Sequence, residues 1–478
     1  MGDQGKDHGD GSGGFSVELF NYLEWDMDYL MEEGEKLKIK LRMYVDYFKY
    51  LVNLQKKETF ILVVDFSAFL VAAYAFIQQW ALNVEFSRIT FSLFFIFILS
   101  GIKFVWDAYK VITDFIKFKQ SGRFEKKIKE KISIGDQYFH LQELIPSEAE
   151  ERNNFKKVII ENQNDFVFQS TDVDRHLRKT DFLLEENKLK EERIRKFLRV
   201  NKNALIPFLN QQFSFSIYSN KHFYNEKKLC LADDIDVTSN VVYYHRGSYF
   251  DTYLTNHVST VQLLSKDTNK VIYDGTGFFP AEYSQELKEF RLSEIKFSFM
   301  NNEIGISTIG LTSDNYLVIW KQNSYAQSSN DLFVPTGSGS SDLKDIENHN
   351  FTKTIINGME RELWEESGKE ALGRTHDSIG NTKILGYFRW VKRGGKPEFV
   401  GITKLNVRCS QLDPEIQEVR KPRSKHMWKI ENVDHLKRVI KEILGFKEIS
   451  VPLYMCLICL EHYLEESPEE VKELLQID

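Results

Sequence analysis

The sequence predicts an α+β protein: a two-helix transmembrane hairpin followed by a cytoplasmic mixed β-sheet domain flanked by helices. Three observations predict it. Two long apolar stretches, Thr59–Leu82 and Ile89–Trp106, stand close together in the first quarter of the chain. Short runs rich in β-branched and aromatic residues begin near Asn201. Segments with helical periodicity lie among those runs and after them. At 478 residues the chain has room for two or three units, since a domain takes about 100–200 residues.

Met1–Gly14 is polar and glycine-rich, and is expected to be disordered, with no secretory signal. Residues 15–58 read as a cytoplasmic helical segment, with Leu19, Tyr22, Leu23, Met27 and Leu30 at near-helical spacing. Each apolar stretch then suffices for one bilayer crossing, which takes about 20 residues. The link Asn83–Arg88 is short enough to force a hairpin. Trp80, Trp106 and Tyr109 mark the interfaces. Basic residues crowd both outer flanks, Lys36–Lys57 before and Lys110–Lys131 after, while the link holds only Arg88. The positive-inside rule therefore places both termini in the cytoplasm. Lys103 stands where it can snorkel to the headgroups. Asp65 is a carboxylate within the first stretch. Either it faces a partner helix or a water-filled path, or it sits close enough to the interface to be hydrated.

Residues 107–200 read as a charged helical connector, with Glu185–Arg199 a solvated helix of alternating sign. From 201 to 478 the expected strands are Phe213–Tyr218, Val237–Tyr244, Ser259–Leu264, Lys270–Ile272, two within Gly305–Gln322, Lys383–Val391 and Glu398–Leu405. The expected helices are Phe351–Ser367, Val433–Leu444 and Pro452–Leu464. Net charge is −7, so nothing points to DNA. Cys456 and Cys459 form a C-x-x-C inside the apolar run Val451–Leu460. With no second Cys or His pair nearby, they read as core thiols rather than a zinc site.

The segment with chemical content is Arg361–Gly368, RELWEESG. Glu362, Glu365 and Glu366 stand at i, i+3 and i+4, and so share one helix face. Carboxylates this close repel one another unless a cation is present. A hard ion such as Mg²⁺ or Mn²⁺ would suit them. A bland alternative is a solvated acidic helix end, although the helix dipole disfavours acids there.

The same eight residues resemble the core of the Nudix box, R-E-U-x-E-E-x-G, and the loop Pro335–Gly339 resembles the family's Pro-Gly-Gly loop. The resemblance implies a Nudix-like domain with an N-terminal extension. In it Glu362, Glu365 and Glu366 bind the metal, Glu362 also lies near the attacking water, and Arg361 and Gly368 are structural. Gly339 lies further upstream than the family's glycine, Lys353 stands where the family has an acid, and Lys369 where it has an aliphatic residue. Asp345 or Glu347 is then expected to pair with Arg361. Glu415 and Glu418 are alternatives for a further metal carboxylate.

Two spans before such a domain resemble the transmembrane Nudix effectors of bacterial cyclic-oligonucleotide-based antiphage systems. That resemblance implies a multi-pass protein of the bacterial inner membrane, and a hydrolase of soluble nucleotides has no need of two spans. The protein would bind a cyclic oligonucleotide made by a partner nucleotidyltransferase, assemble as a homo-oligomer and disrupt the lipid bilayer, leading to abortive infection. Within Tyr243–His257, the residues Tyr243, His245, Arg246, Tyr249 and Asn256 suit base stacking and phosphate contacts, and equally suit half-buried strand and turn positions. The competing reading is a membrane-tethered, metal-dependent hydrolase of a nucleoside diphosphate-linked or cyclic nucleotide.

Overall fold

The structure, a computed structural model, describes residues 34, 37–82, 88–135, 137–219, 221–322, 331–367, 379–412 and 424–477. The expected disordered start, residues 15–33 of the expected helical segment, the hairpin link 83–87, Gly368, Lys369, Glu415 and Glu418 lie outside the described residues.

Helix α1 (residues 37–54) buries Met43, Tyr47, Tyr50 and Leu54, which share one face at helical spacing. Tyr47 stacks on Phe213 at 4.3 Å and its hydroxyl donates to Asn210 at 2.6 Å. The Tyr50 hydroxyl donates to Asp251 at 2.8 Å. These contacts dock α1 on the globular part of the molecule.

Helices α2 (Lys56–Leu82) and α3 (Arg88–Gln120) follow. They run antiparallel: Phe66 meets Phe104, Phe69 meets Phe97, and Phe76 meets Phe94, at ring separations of 5.1, 5.1 and 5.4 Å. Their segments Phe60–Ala81 and Ile89–Tyr109 have mean hydropathies of 2.3 and 2.0 and are long and apolar enough to cross a membrane. Phe91, Phe95, Ile96 and Leu99 point outward. The helices of a soluble core would bury such side chains, each worth about 1.5–3 kcal/mol. Asp65 is buried, and its Oδ1 accepts from Lys103 Nζ at 2.5 Å. The compensating charge thus comes from the neighbouring helix of the same hairpin, and no second copy of the chain is needed to supply it.

After α3, the strand Phe124–Ile128 pairs with Val261–Ser265, which pairs with Val271–Asp274. The stalk therefore ends inside the globular part. Strands β1 (Lys156–Ile160) and β2 (Asp165–Gln169) come next. Then follow β3 (Leu183–Glu186), α4 (Lys188–Val200), α5 (Lys202–Ser219), β4 (Lys227–Leu231) and β5 (Val241–Ser248). A small sheet has the order β3-β5-β4. Beyond it lie β6 (Gly305–Leu311), β7 (Tyr316–Lys321), β8 (Phe333–Val334), β9 (Gly337–Ser340) and α6 (Phe351–Glu366). The chain ends with β10 (Gly380–Trp390), β11 (Lys396–Leu405), β12 (Ser424–Lys429), α7 (Val433–Leu444) and α8 (Val451–Glu466), then a short helix.

The main sheet has nine strands in the order β8-β7-β6-β11-β10-β2-β1, with β9 beside β6 and β12 beside β7. β6 and β11 are parallel, and β10 and β11 antiparallel. Both faces are covered. Ile306 and Phe399 pack with Phe351, Ile355 and Met359 of α6. Ile309, Val400 and Ile402 pack with Leu436 and Ile440 of α7 and with Leu453 and Leu457 of α8. Double coverage explains why β6 and β11 read as nearly continuous buried runs. Cys456 and Cys459 lie fully buried in this second layer, as core thiols.

Three expectations change. Gly337–Gly339 of the expected loop Pro335–Gly339 lie in strand β9, paired with β6. Phe213–Tyr218 is the end of helix α5, not a strand. Its alternation of Phe and Ser mimics a strand, but Leu205, Leu209 and Phe213 repeat every four residues and pack against Met43 and Tyr47. The connector expected at 107–200 is not one throughout. β2 is buried along its whole length and pairs with β10, so β1 and β2 belong to the main sheet. The charged residues around this short strand hide it from a periodicity reading. The expected solvated helix is α4, and it buries Lys190, Ile194 and Leu198.

Candidate functional site

Asn350 caps α6, its side chain accepting from Lys353 N at 2.9 Å. The helix lays Phe351, Ile355, Met359 and Leu363, four residues apart, on the sheet. Gly401 lets it approach, because a Cβ there would lie 2.7 Å from Met359 Sδ. This packing turns the acidic face toward β9. Ser338 N donates to Glu366 Oε2 at 2.9 Å. A Cβ on Gly339 would lie 2.3 Å from the Glu362 carboxyl carbon. Glycine at 339 is therefore what allows the carboxylate to rest on the strand.

Arg361 organises the acids. It grips Asp345 with two bonds of 2.8 and 3.0 Å, donates to Glu362 at 2.8 Å and Glu365 at 3.2 Å, and reaches the Ser340 carbonyl at 2.9 Å. Of the two acids expected to pair with Arg361, Asp345 does so. Burial pushes the Glu362 carboxyl up to about 7, against the pull of Arg361 and with further help from Glu366 and Glu365. The donor set is all oxygen and suits a hard cation. Yet among the described residues no three acidic, histidine or cysteine side chains converge as an ion site. Arg361 already compensates Glu362 and Glu365. As arranged, these residues do not form a metal centre.

β9 also lines a cavity of about 420 Å³, to which Ser338, Gly339 and Ser340 contribute. Tyr249, Tyr253 and His257, spaced four apart on one helical segment, form one wall. That segment includes a π turn over Tyr253–His257, a distortion often found at functional sites. Lys126 enters from the strand after α3, and Arg393 from the turn between β10 and β11. Gly394 and Gly395 follow Arg393 with φ of 59° and 68°, a left-handed geometry that favours glycine. Lys396 and Glu398 form an ion pair of 2.7 Å at the cavity edge. Burial, and then the charge of Arg393, bring Lys126 down to about 8. Burial and the cations Arg393, Lys126 and Lys396 hold His257 well below the usual imidazole range.

Of the five ligand-contact residues expected from Tyr243–His257, Tyr249 lines this cavity and the other four do not. Tyr243 is exposed on β5. Arg246 pairs with Glu186 at 2.7 Å. His245 is fully buried and bonds to the Asn301 carbonyl at 2.9 Å. Asn256, also buried, donates to Asn302 at 3.1 Å and to the Gly394 carbonyl at 3.3 Å. His245 shares the face of β5 that leaves Tyr243 exposed, and the chain at Asn301 covers it there, so both buried residues hold the scaffold. Sequence reasoning missed Tyr253 and His257, which the four-residue spacing from Tyr249 could have revealed. It also missed Lys126, Glu303 and Arg393, which nothing local marks.

The fold and site define an α+β protein with a nine-stranded sheet domain and two helices long and apolar enough to cross a membrane. No family model and no curated protein matches the chain. Among solved structures it is similar to a MutT protein from Methanosarcina mazei Go1. The identity is 10%, the match covers 34% of this chain and 95% of that one, and the TM-score is 0.23. Likeness at that level assigns neither activity nor ligand.

Proposed function

We propose that this protein is a membrane-anchored receptor for a cyclic nucleotide, bound through a Nudix-like domain. The observation that carries the reading is the cavity beside β9, where cationic and aromatic side chains converge. Nucleotides need both, cations for phosphate and flat rings for bases. The hairpin α2–α3 anchors the chain in the bacterial plasma membrane with both termini cytoplasmic, on the strength of its basic flanks. In this reading the protein is an effector of antiphage defence. A partner nucleotidyltransferase makes the ligand during infection, ligand binding changes the association of chains, and the hairpins disrupt the membrane. The sequence resemblance supports that part.

The second reading is a metal-dependent Nudix hydrolase. It is favoured by the Glu362, Glu365 and Glu366 face resting on β9. It needs Mg²⁺ or Mn²⁺ on those glutamates, which in turn requires Arg361 to release Glu362 and Glu365.

The test is calorimetric titration of the full chain in detergent micelles with cyclic di- and trinucleotides and Mg²⁺, each mixture then being analysed for cleavage. Binding without cleavage is expected. Turnover abolished by Glu366→Gln would establish the hydrolase. Absence of both binding and turnover would sink both readings.

A further inference from the structure

Lys126 and Arg393 face one cavity, and neither has a carboxylate within ion-pair distance among the described residues. Their mutual repulsion, with burial, is what brings Lys126 down to about 8. An anion between them would remove that repulsion. The same cavity holds an opposite demand. Glu303 is 4% exposed, and its Oε2 has no hydrogen-bond partner among the described residues. A buried acceptor left this way is unfavourable. It calls for an N–H or O–H donor, which a fully ionised phosphate cannot supply. A single ligand carrying both an anion and a donor edge would meet both demands.

We propose that this cavity binds a guanine nucleotide, with its phosphate between Lys126 and Arg393 and the donor edge of its base on Glu303. Guanine presents its N1–H and its 2-amino group side by side, a match for the two oxygens of one carboxylate. Adenine presents a single amino group beside the N1 acceptor, and that nitrogen would face the second carboxylate oxygen with lone pair against lone pair. Tyr249, Tyr253 and Trp390 supply flat apolar surface around the base. Arg393 is fixed over the Trp390 ring at 4.9 Å, so it meets the phosphate with little ordering left to do. Lys126 belongs to the strand that follows α3, so the bound phosphate also joins the membrane stalk to the sheet domain. The proposal rests on reading the domain as a nucleotide receptor and adds which base it selects and how.

The experiment uses the full chain in detergent micelles with EDTA, and measures affinity by calorimetry for cyclic di-guanylate, GTP, cyclic di-adenylate and ATP. At least one guanine probe is expected to bind about 10- to 100-fold tighter than its adenine counterpart, the discrimination that a good bidentate base contact gives. Glu303→Gln should erase that preference. Lys126→Ala and Arg393→Ala should weaken both bases about 10-fold and leave the preference unchanged. Equal affinity for the two bases, or an adenine preference, overturns the inference while the receptor reading stands. A preference that survives in folded Glu303→Gln does the same. If none of the four probes binds, the inference falls together with the receptor reading for these nucleotides. The base preference is measured on the unmodified chain, so a variant that fails to fold does not remove the test.

Discussion

Arg361 is the residue whose surroundings say most about its role. Its guanidinium is 5% exposed and is shared among Asp345, Glu362 and Glu365. Truncating it would leave buried carboxylates without compensation, which costs about 3–5 kcal/mol. Arg361→Ala is therefore expected to lower the denaturation midpoint sharply, with Arg361→Lys intermediate, because an ammonium cannot reproduce the two-pronged grip on Asp345. A midpoint within error of the unmodified chain would show that the network contributes nothing. His245 makes a second residue-scale prediction. Burial lowers its imidazole from 6.5 to about 4. The unfolded chain takes up the proton first, so its stabilising effect is full above about 6.5 and is lost as pH falls toward 4. The loss amounts to about 3 kcal/mol. Chemical denaturation at pH 7 and pH 4.5 measures it. The drop should be smaller in His245→Gln, and an equal drop would mean that other groups carry the acid sensitivity.

At the scale of elements, the hairpin and the contact between α6 and β9 are the two designs that matter. Asp65 and Lys103 bridge α2 and α3. On the proposal that α2 and α3 cross a bilayer, Lys103→Leu leaves a carboxylate unpaired there, at a cost of about 2.5–3.5 kcal/mol on insertion scales. Membrane recovery of Lys103→Leu should fall, and Asp65→Leu added to it should restore recovery. Failure of the double variant to recover would mean the pair does more than neutralise charge. β9 meets α6 through glycines. A Cβ at Gly337 would lie 2.5 Å from the Leu363 Cα, a backbone atom that cannot step aside. Gly337→Ala should therefore displace β9 or α6 and destabilise by about 1–3 kcal/mol, the usual result of overpacking. Thermal unfolding checks it, and an unchanged transition would show that this contact is loose.

At the scale of the molecule, the stalk and the globular part are built into one another. α1 docks by Tyr47 and Tyr50 onto α5 and the Tyr249 segment, and the strand after α3 pairs with Val261–Ser265. Lys126 then brings the stalk to the same cavity that Glu303 and Arg393 reach from the sheet domain. Replacing residues 59–106 by a short flexible linker should release the chain from membranes in alkaline carbonate extraction. Continued pelleting with the membranes would show that another surface holds it there. The molecule-level features differ in what the sequence discloses about them. The apolar stretches are legible because a bilayer sets the length of a helix that crosses it. The pairing of Asp65 with Lys103 was not, because it depends on how two helices face each other.

The sequence by itself determined the two apolar helices, the α+β class, the acidic face of α6 and the strands β6, β7, β10 and β11. Each of these rests on composition or on a period of a few residues. The resemblance of Arg361–Gly368 to a known motif implied that Arg361 would pair with an acid, and left Asp345 and Glu347 as alternatives. Only the tertiary structure decided that Asp345 takes the place, that Phe213 lies on a helix, and that β1 and β2 complete the main sheet. It alone turned His245 and Asn256 inward and placed Lys126, Tyr253, Glu303 and Arg393 around one cavity. The physical reason is separation. Periodicity reports the face a residue presents within its own element, whereas these outcomes depend on which distant elements pack together.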